Sequence, residues 1–165
     1  MNENHLFGLD NGIHNLKEMQ VAIITGLPVH ARWMVNGTPL DYDFSDAHQG
    51  LHEPFDCIEC SDKERTELLI FGKYDYAEGG GAAPWLCIRK IDGAVVGLDL
   101  ERENSIFLLN SSLERFIQTF RFLNEYLGTR LHLPSDVATR MREIDADAYP
   151  SSDWNSLVDC ITAGM

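Results

Sequence analysis

The chain predicts an α+β fold: a single, mainly antiparallel sheet of about six strands with helices packed on one face. Three observations predict it. Residues 83–126 read strand, turn, strand, strand, capped helix. Leu40, Tyr42 and Phe44 alternate with Asp41 and Asp43, the pattern of a strand buried on one side only. Near the end of the chain, Val137, Met141 and Ile144, then Trp154, Leu157, Val158 and Ile161, recur at helical spacing. The 165 residues are read as one domain, 1–165, long enough to build a core without staples.

Each element has a local reason. Ile13, Leu16, Gln20, Ile23, Ile24 and Leu27 predict a first helix ending at Thr25, with Gly26 at the C′ position and Pro28 barring continuation. Strands at Ala31–Val35 and Leu40–Phe44 flank Asn36-Gly37. The polar segment Ser45–Glu64 is predicted mostly as loop, with one short turn of helix. Glu67–Tyr74 reads as a strand and 74–83 as a glycine-rich loop. Strands then follow in 83–90, 94–101 and 105–110. Asp92-Gly93 predicts a hairpin, because glycine accepts the positive φ of a tight primed turn. Ser111 and Glu114 form an S-x-x-E capping box that satisfies orphan amides at a helix start. Behind it, Leu113, Phe116, Ile117, Phe120, Leu123 and Leu127 make one wide apolar face. Pro134-Ser135 and Pro150-Ser151-Ser152 open two further helices.

Charge narrows the function classes. Thirteen Lys and Arg face 26 Asp and Glu, a formal net charge of −13. Between Arg32 and Lys63 there is no Lys or Arg, while Asp41, Asp43, Asp46, Glu53, Asp56, Glu59 and Asp62 all fall there. Such a surface repels phosphate backbones, which argues against nucleic acid as a direct partner. It attracts a basic protein and speeds the encounter, although acidity also serves solubility. Tyr74, Asp75, Tyr76, Glu78 and Trp85 flank or lie within the glycine-rich loop and add the aromatic residues that interfaces favour. Core packing is the competing explanation for Trp85 and Tyr76. The start MNENHLFGLD lacks the basic and apolar regions of a secretory signal, and no stretch approaches about 18 apolar residues, so no membrane partner is expected. The expected location is cytoplasmic, with Cys57, Cys60, Cys87 and Cys160 reduced.

Candidate chemistry is sparse. His48, His52, Cys57 and Cys60 offer two nitrogens and two sulfurs, a set zinc accepts as a closed tetrahedral site. Their spacing and order are not those of a standard finger, and an acidic surface loop explains them as well. Cys57-x-x-Cys60 as a redox pair would need a lowered thiol pKa, which Asp56 and Glu59 oppose. Gly79-Gly80-Gly81 lacks the Lys-Ser or Lys-Thr of a phosphate loop. No nucleophile elbow or zinc-protease helix occurs. The chain is therefore read as a non-enzyme without a cofactor.

The order "strand, D-G, V-x-x-L-D-x-E, then F-x-x-N-S-S-L-x-x-F" resembles the SUKH superfamily of bacterial immunity proteins. Ile24-Thr25-Gly26-Leu27-Pro28 is similar to that family's exit from its first helix. Met141-Arg142-Glu143-Ile144-Asp145 with Trp154-Asn155-Ser156-Leu157-Val158 is similar to its closing "I-D…W-x-x-L-V" element. The similarity spans about Ile23 to Ile161, and the segment Asp41–Asp62 carries none of it. It implies a non-catalytic inhibitor that binds a cognate polymorphic toxin, often a nuclease or deaminase, and blocks its active site. A ligand-binding or regulatory module of the same fold is the alternative reading, and a small enzyme of unknown reaction the third. On the metal question the expectation is an absence: elemental analysis of the purified protein should find no stoichiometric zinc. One zinc per chain, removed by chelator together with stability, would reverse that reading.

Overall fold

The computed structural model describes residues 19, 22–23, 25–54, 61–76, 83–129 and 131–163. Six strands form one sheet in sequence order: β1 (His30–Val35), β2 (Thr38–Asp43), β3 (Leu68–Tyr76), β4 (Trp85–Arg89), β5 (Val95–Leu98) and β6 (Ile106–Asn110). Every neighbouring pair is antiparallel, as the alternation and turn signals require. Val35 pairs with Thr38 across a two-residue turn in which Asn36 (φ 51°) and Gly37 (φ 83°) are both left-handed. That is a primed hairpin turn, which suits the right-handed twist of its strands.

Asp92-Gly93 also closes a hairpin, but not the tight two-residue turn predicted. The Gly93 amide donates to the Arg89 carbonyl and the Arg89 amide to the Ala94 carbonyl, both at 2.8 Å. Gly93 is left-handed at φ 75°. The longer loop is held by the Asp92 carboxylate, which accepts from the Arg89 guanidinium at 2.7 Å and from the Ala94 amide at 3.0 Å.

The polar segment after β2 is more helical than its composition predicts. Helix α1 (Ser45–Gln49) buries Ala47, and helix α2 (Asp62–Glu67) starts at Ser61. Ser61 and Glu64 form a complete capping box, with the Glu64 amide 3.2 Å from Ser61 Oγ. Glu67 thus ends a helix rather than opening β3. Of the first helix, Met19, Ala22, Ile23, Thr25 and Gly26 are helical, and Met19 and Ile23 are buried.

Helices α3 (Leu113–Leu127), α4 (Val137–Ile144) and α5 (Trp154–Ala163) cover one face of the sheet. A single-turn 3₁₀ helix at Tyr149–Ser151 joins the last two. Phe116, Phe120 and Leu123 of α3 are fully buried against Trp33, Tyr42, Phe44 and Phe71 of the sheet side. Ring pairs between the sheet side and α3 pack edge-on or tilted, Phe71 to Phe116 at 5.3 Å and Trp33 to Phe120 at 4.9 Å, as aromatic quadrupoles prefer. The opposite face carries a smaller apolar cluster of Leu68, Ile70, Cys87, Val96 and Leu98. Among the described residues, no helix is long and apolar enough to cross a membrane.

The predicted Ser111–Glu114 cap is displaced by one residue. Ser112 is the N-cap, accepting from the Arg115 amide at 3.2 Å. Ser111 is taken by Asp145, 34 residues on: its amide and its hydroxyl each donate to that carboxylate at 2.8 Å. Asp145 is only 5% exposed, so it needs such partners. Asn110 Nδ2 (3.0 Å) and the Ala148 amide (3.3 Å) complete the set. Asn110 in turn donates to Thr119 Oγ1 at 3.0 Å and accepts from the Trp154 indole at 2.8 Å. Behind it, the Ser152 hydroxyl donates to the Leu109 carbonyl (2.6 Å) and the Asp153 amide to the Leu108 carbonyl (2.8 Å).

Burial alone would push the Asp145 carboxyl up, but the Ser111 amide and hydroxyl, with Asn110 and Ala148, hold it below the ordinary aspartate range. A depressed folded pKa contributes stability above the unfolded value of about 3.9 and loses it as pH falls toward the folded one. Asp145→Asn should therefore cost about 2–3 kcal/mol near neutral pH, through charged hydrogen bonds lost. It should also flatten the loss of stability below about pH 4. Phe116→Ala, which opens a cavity, should cost roughly 3–5 kcal/mol with no such pH signature. Denaturant unfolding across pH separates the two; a variant at Asp145 with an unaltered acid limb would contradict the assignment.

Candidate functional site

The sheet and α5 do not close completely on each other. Between them lies a cleft of about 290 Å³. Its floor is Leu40 and Tyr42 of β2, Tyr74 and Tyr76 of β3 and Leu86 of β4, and its wall is Trp154, Leu157 and Cys160 of α5. Two pairings set the floor, Leu40 with Tyr76 and Tyr42 with Tyr74. A register shift between Ile70 and Gly72 turns Tyr74 onto the same face as Phe71, three residues earlier. The α5 wall is held by the Trp154–Asn110 bond and by Asn36, whose amide donates to the Cys160 carbonyl at 3.0 Å.

The polar rim is built by a chain of contacts. Gly97 lies opposite Phe107, and a Cβ on Gly97 would stand 2.0 Å from that ring. The missing side chain lets Phe107 lie flat across β5. The Arg102 guanidinium sits over Phe107 at 3.9 Å, a cation–π contact. From there Arg102 reaches both oxygens of Asp153, at 3.1 and 3.2 Å, and approaches Asp99 at 3.5 Å. Two carboxylates therefore meet one guanidinium, and the rim is acidic.

The phenols of the floor are displaced from ordinary tyrosine behaviour. Burial pushes Tyr42 well up, and Tyr74, Tyr76 and Asp153 add to it. Burial likewise raises Tyr74; Arg102 opposes the shift while Asp153, Asp99 and Tyr76 reinforce it. Tyr76 is raised more modestly, by burial and then by Cys160. Among the described residues, neither the Tyr42 nor the Tyr74 hydroxyl has a hydrogen-bond partner. Tyr42 is only 3% exposed.

The residues predicted for partner binding are divided by the sheet. Tyr74 and Tyr76 belong to the cleft. Asp41, Asp43 and Trp85 point to the other face, as does Asp75, which pairs with Asp41 and lines a neighbouring hollow with Asp41 and Asp43. Trp85 packs against the small apolar cluster and, with Asp46, His52 and Glu53, lines a third hollow. Two carboxylates of the cation-free stretch are paired with cations from outside it. Arg32 clasps Asp41 at 2.6 and 3.0 Å, and Lys90 reaches Glu53 at 2.5 Å. His30 and His52 lie 3.8 and 3.3 Å from Asp43 and Asp46. The Arg32 hydrogen bonds hold Asp41 below its ordinary pKa, and Ser45 with His30 and Lys73 does so for Asp43 against its partial burial. Asp56, Glu59 and Glu78 lie outside the described residues, as do Cys57 and Cys60 of the zinc pattern. His48 is exposed on α1, and His52 instead bridges to Ile70 in the backbone. Among the described residues, no group of three His, Cys, Asp or Glu could hold a metal ion.

Asp99, Arg102 and Asp153 were not anticipated. Fifty-one positions separate Arg102 from Asp153, and only Gly97 gave a local hint, as a glycine inside a strand marks close approach.

Ultraviolet titration of the phenols tests the floor. A raised folded pKa contributes stability below the unfolded value of about 10, lost as pH rises beyond it. Tyr42 and Tyr74 should therefore stay protonated above pH 10 and ionise only as the chain unfolds. Reversible titration of all five tyrosines near pH 10 in the folded protein would contradict the buried cleft floor. Compared with family models, curated proteins and solved structures, the chain matches none.

Proposed function

We propose that this protein is an immunity protein that binds a basic polymorphic toxin domain, a nuclease or deaminase, in the cytoplasm and blocks its active site. The observation that carries the reading is the acidic, tyrosine-lined cleft on a chain of net charge −13. Aromatic side chains in a partly dry hollow supply binding energy, and surrounding carboxylates supply on-rate and partner choice. The similarity to the SUKH superfamily points the same way. The residues that carry it, Asn110-Ser111 in one motif and Asp145 and Trp154 in the other, are joined in one buried hydrogen-bond network. The cleft also favours a second reading, a ligand-binding module of the same fold, because it is concave and partly enclosed.

Neutralisation tests the first reading. Co-production with a toxin-like protein encoded beside it should restore growth of the poisoned cell and give a stoichiometric complex. Association should be salt-sensitive, and joint charge reversal of Asp41, Asp43 and Asp46 should slow it about tenfold at low salt. Continued toxicity with this chain in excess would exclude the pairing. A small-molecule ligand found in the cleft, with no protein partner, would favour the second reading.

A further inference from the structure

The cleft has the chemistry of a receptor for one kind of group. Its faces are aromatic, its rim carries Asp99 and Asp153 against Arg102, and its floor holds phenol oxygens without hydrogen-bond partners among the described residues. Tyr42 is the most telling of these. It is almost wholly buried, and the groups that perturb its hydroxyl, Tyr74, Tyr76 and Asp153, are all cleft residues. A buried hydroxyl with no partner costs free energy in the free protein, so a ligand that engages it recovers that loss.

An anion does not fit. Arg102, the one cation among the described residues that line it, is already engaged by Asp153 and Asp99, and any anion would meet the remaining carboxylate charge. A purely apolar ligand would leave the phenols unsatisfied. A guanidinium fits on three counts. It stacks on aromatic faces, it is weakly hydrated, and its five donors can reach phenol and carboxylate oxygens together. Arg102 over Phe107 shows the same pairing within the chain. Asp99 and Asp153 carry two negative charges against the single positive charge of Arg102, so a net negative charge remains at the rim to meet the incoming cation. The volume, near the low end of about 300 Å³ for ligand pockets, accommodates one long side chain.

We infer that the cleft between β2–β3 and α5 receives a single arginine side chain projecting from the bound protein partner, held between Tyr42, Tyr74 and Trp154 and neutralised by Asp99 and Asp153. The inference rests on the proposed function for its basic protein partner, and adds the recognition element.

The test is a titration of the intact protein with a short, end-blocked peptide carrying one arginine, set against the same peptide with citrulline, which keeps the shape and removes the charge. The arginine peptide should bind and shift the resonances of Tyr74 and Leu157, and the citrulline peptide should bind at least about tenfold more weakly. Tyr74→Phe and Asp99→Asn should each weaken arginine binding several-fold without changing the fold. Tyr42→Phe should weaken binding and yet raise the unfolding midpoint of the free protein, since it deletes an unpaired buried hydroxyl. Equal binding of both peptides, or a lowered midpoint for Tyr42→Phe, would overturn the inference. Because no toxin is involved, the outcomes separate. Peptide binding without neutralisation keeps this inference and loses the proposed function, and neutralisation without peptide binding does the reverse.

Discussion

A buried carboxylate without a cation governs the closed half of this molecule. Asp145 is satisfied by four donors from three residues in two places: the β6–α3 junction at Asn110 and Ser111, and the turn at Ala148 that leaves α4. Neutral hydrogen bonds can hold a buried charge only if their geometry is fixed, because each missing donor leaves desolvation uncompensated. The arrangement therefore specifies where α3 starts, where α4 ends and, through Asn110 and the Trp154 indole, where α5 is rooted. Since α5 is one wall of the cleft, the cleft inherits its shape from a carboxylate that never touches it.

The other wall follows from strand register. Tyr42 and Tyr74 stand side by side because the β2–β3 pairing places them so, and because the bulge after Ile70 restores Tyr74 to the helix-covered face. The rim follows from a side chain that is absent. Gly97 leaves room for Phe107, Phe107 supports Arg102, and Arg102 orients Asp153 at the root of α5. Stability and recognition thus meet at one place, the short segment Ser152–Trp154. It bonds to β6 behind and faces the cleft in front.

What was legible in the sequence was what obeys a short period. The six strands and the apolar face of α3 follow from alternation and from i, i+3, i+4 spacing, and these set the fold class. Three kinds of feature were not. The helix cap at Ser111 was read one residue early, because the competing partner, Asp145, is invisible to local pattern. The segment after β2 looked like loop because its composition is polar. Even so, Ser61 and Glu64 carry the same S-x-x-E spacing that was credited at Ser111. The site was half legible: Tyr74 and Tyr76 were singled out for their type. Their separation from Trp85 by the sheet depended on face assignment across a bulge, and Arg102 with Asp153 on a contact between distant segments. The acidic run is legible as composition, but the pairing of Asp41 with Arg32 and of Glu53 with Lys90 depends on strand register and on a distant contact.

The bonds from Ser152 and Asp153 to the Leu109 and Leu108 carbonyls have one more consequence. β6 is a terminal strand, and an unprotected sheet edge is a template on which another chain can add a strand. Here two successive acceptors on that edge are already occupied by the root of α5. Edge-to-edge polymerisation along β6 would first have to peel α5 away, so the segment that shapes the cleft also keeps the sheet from growing past β6.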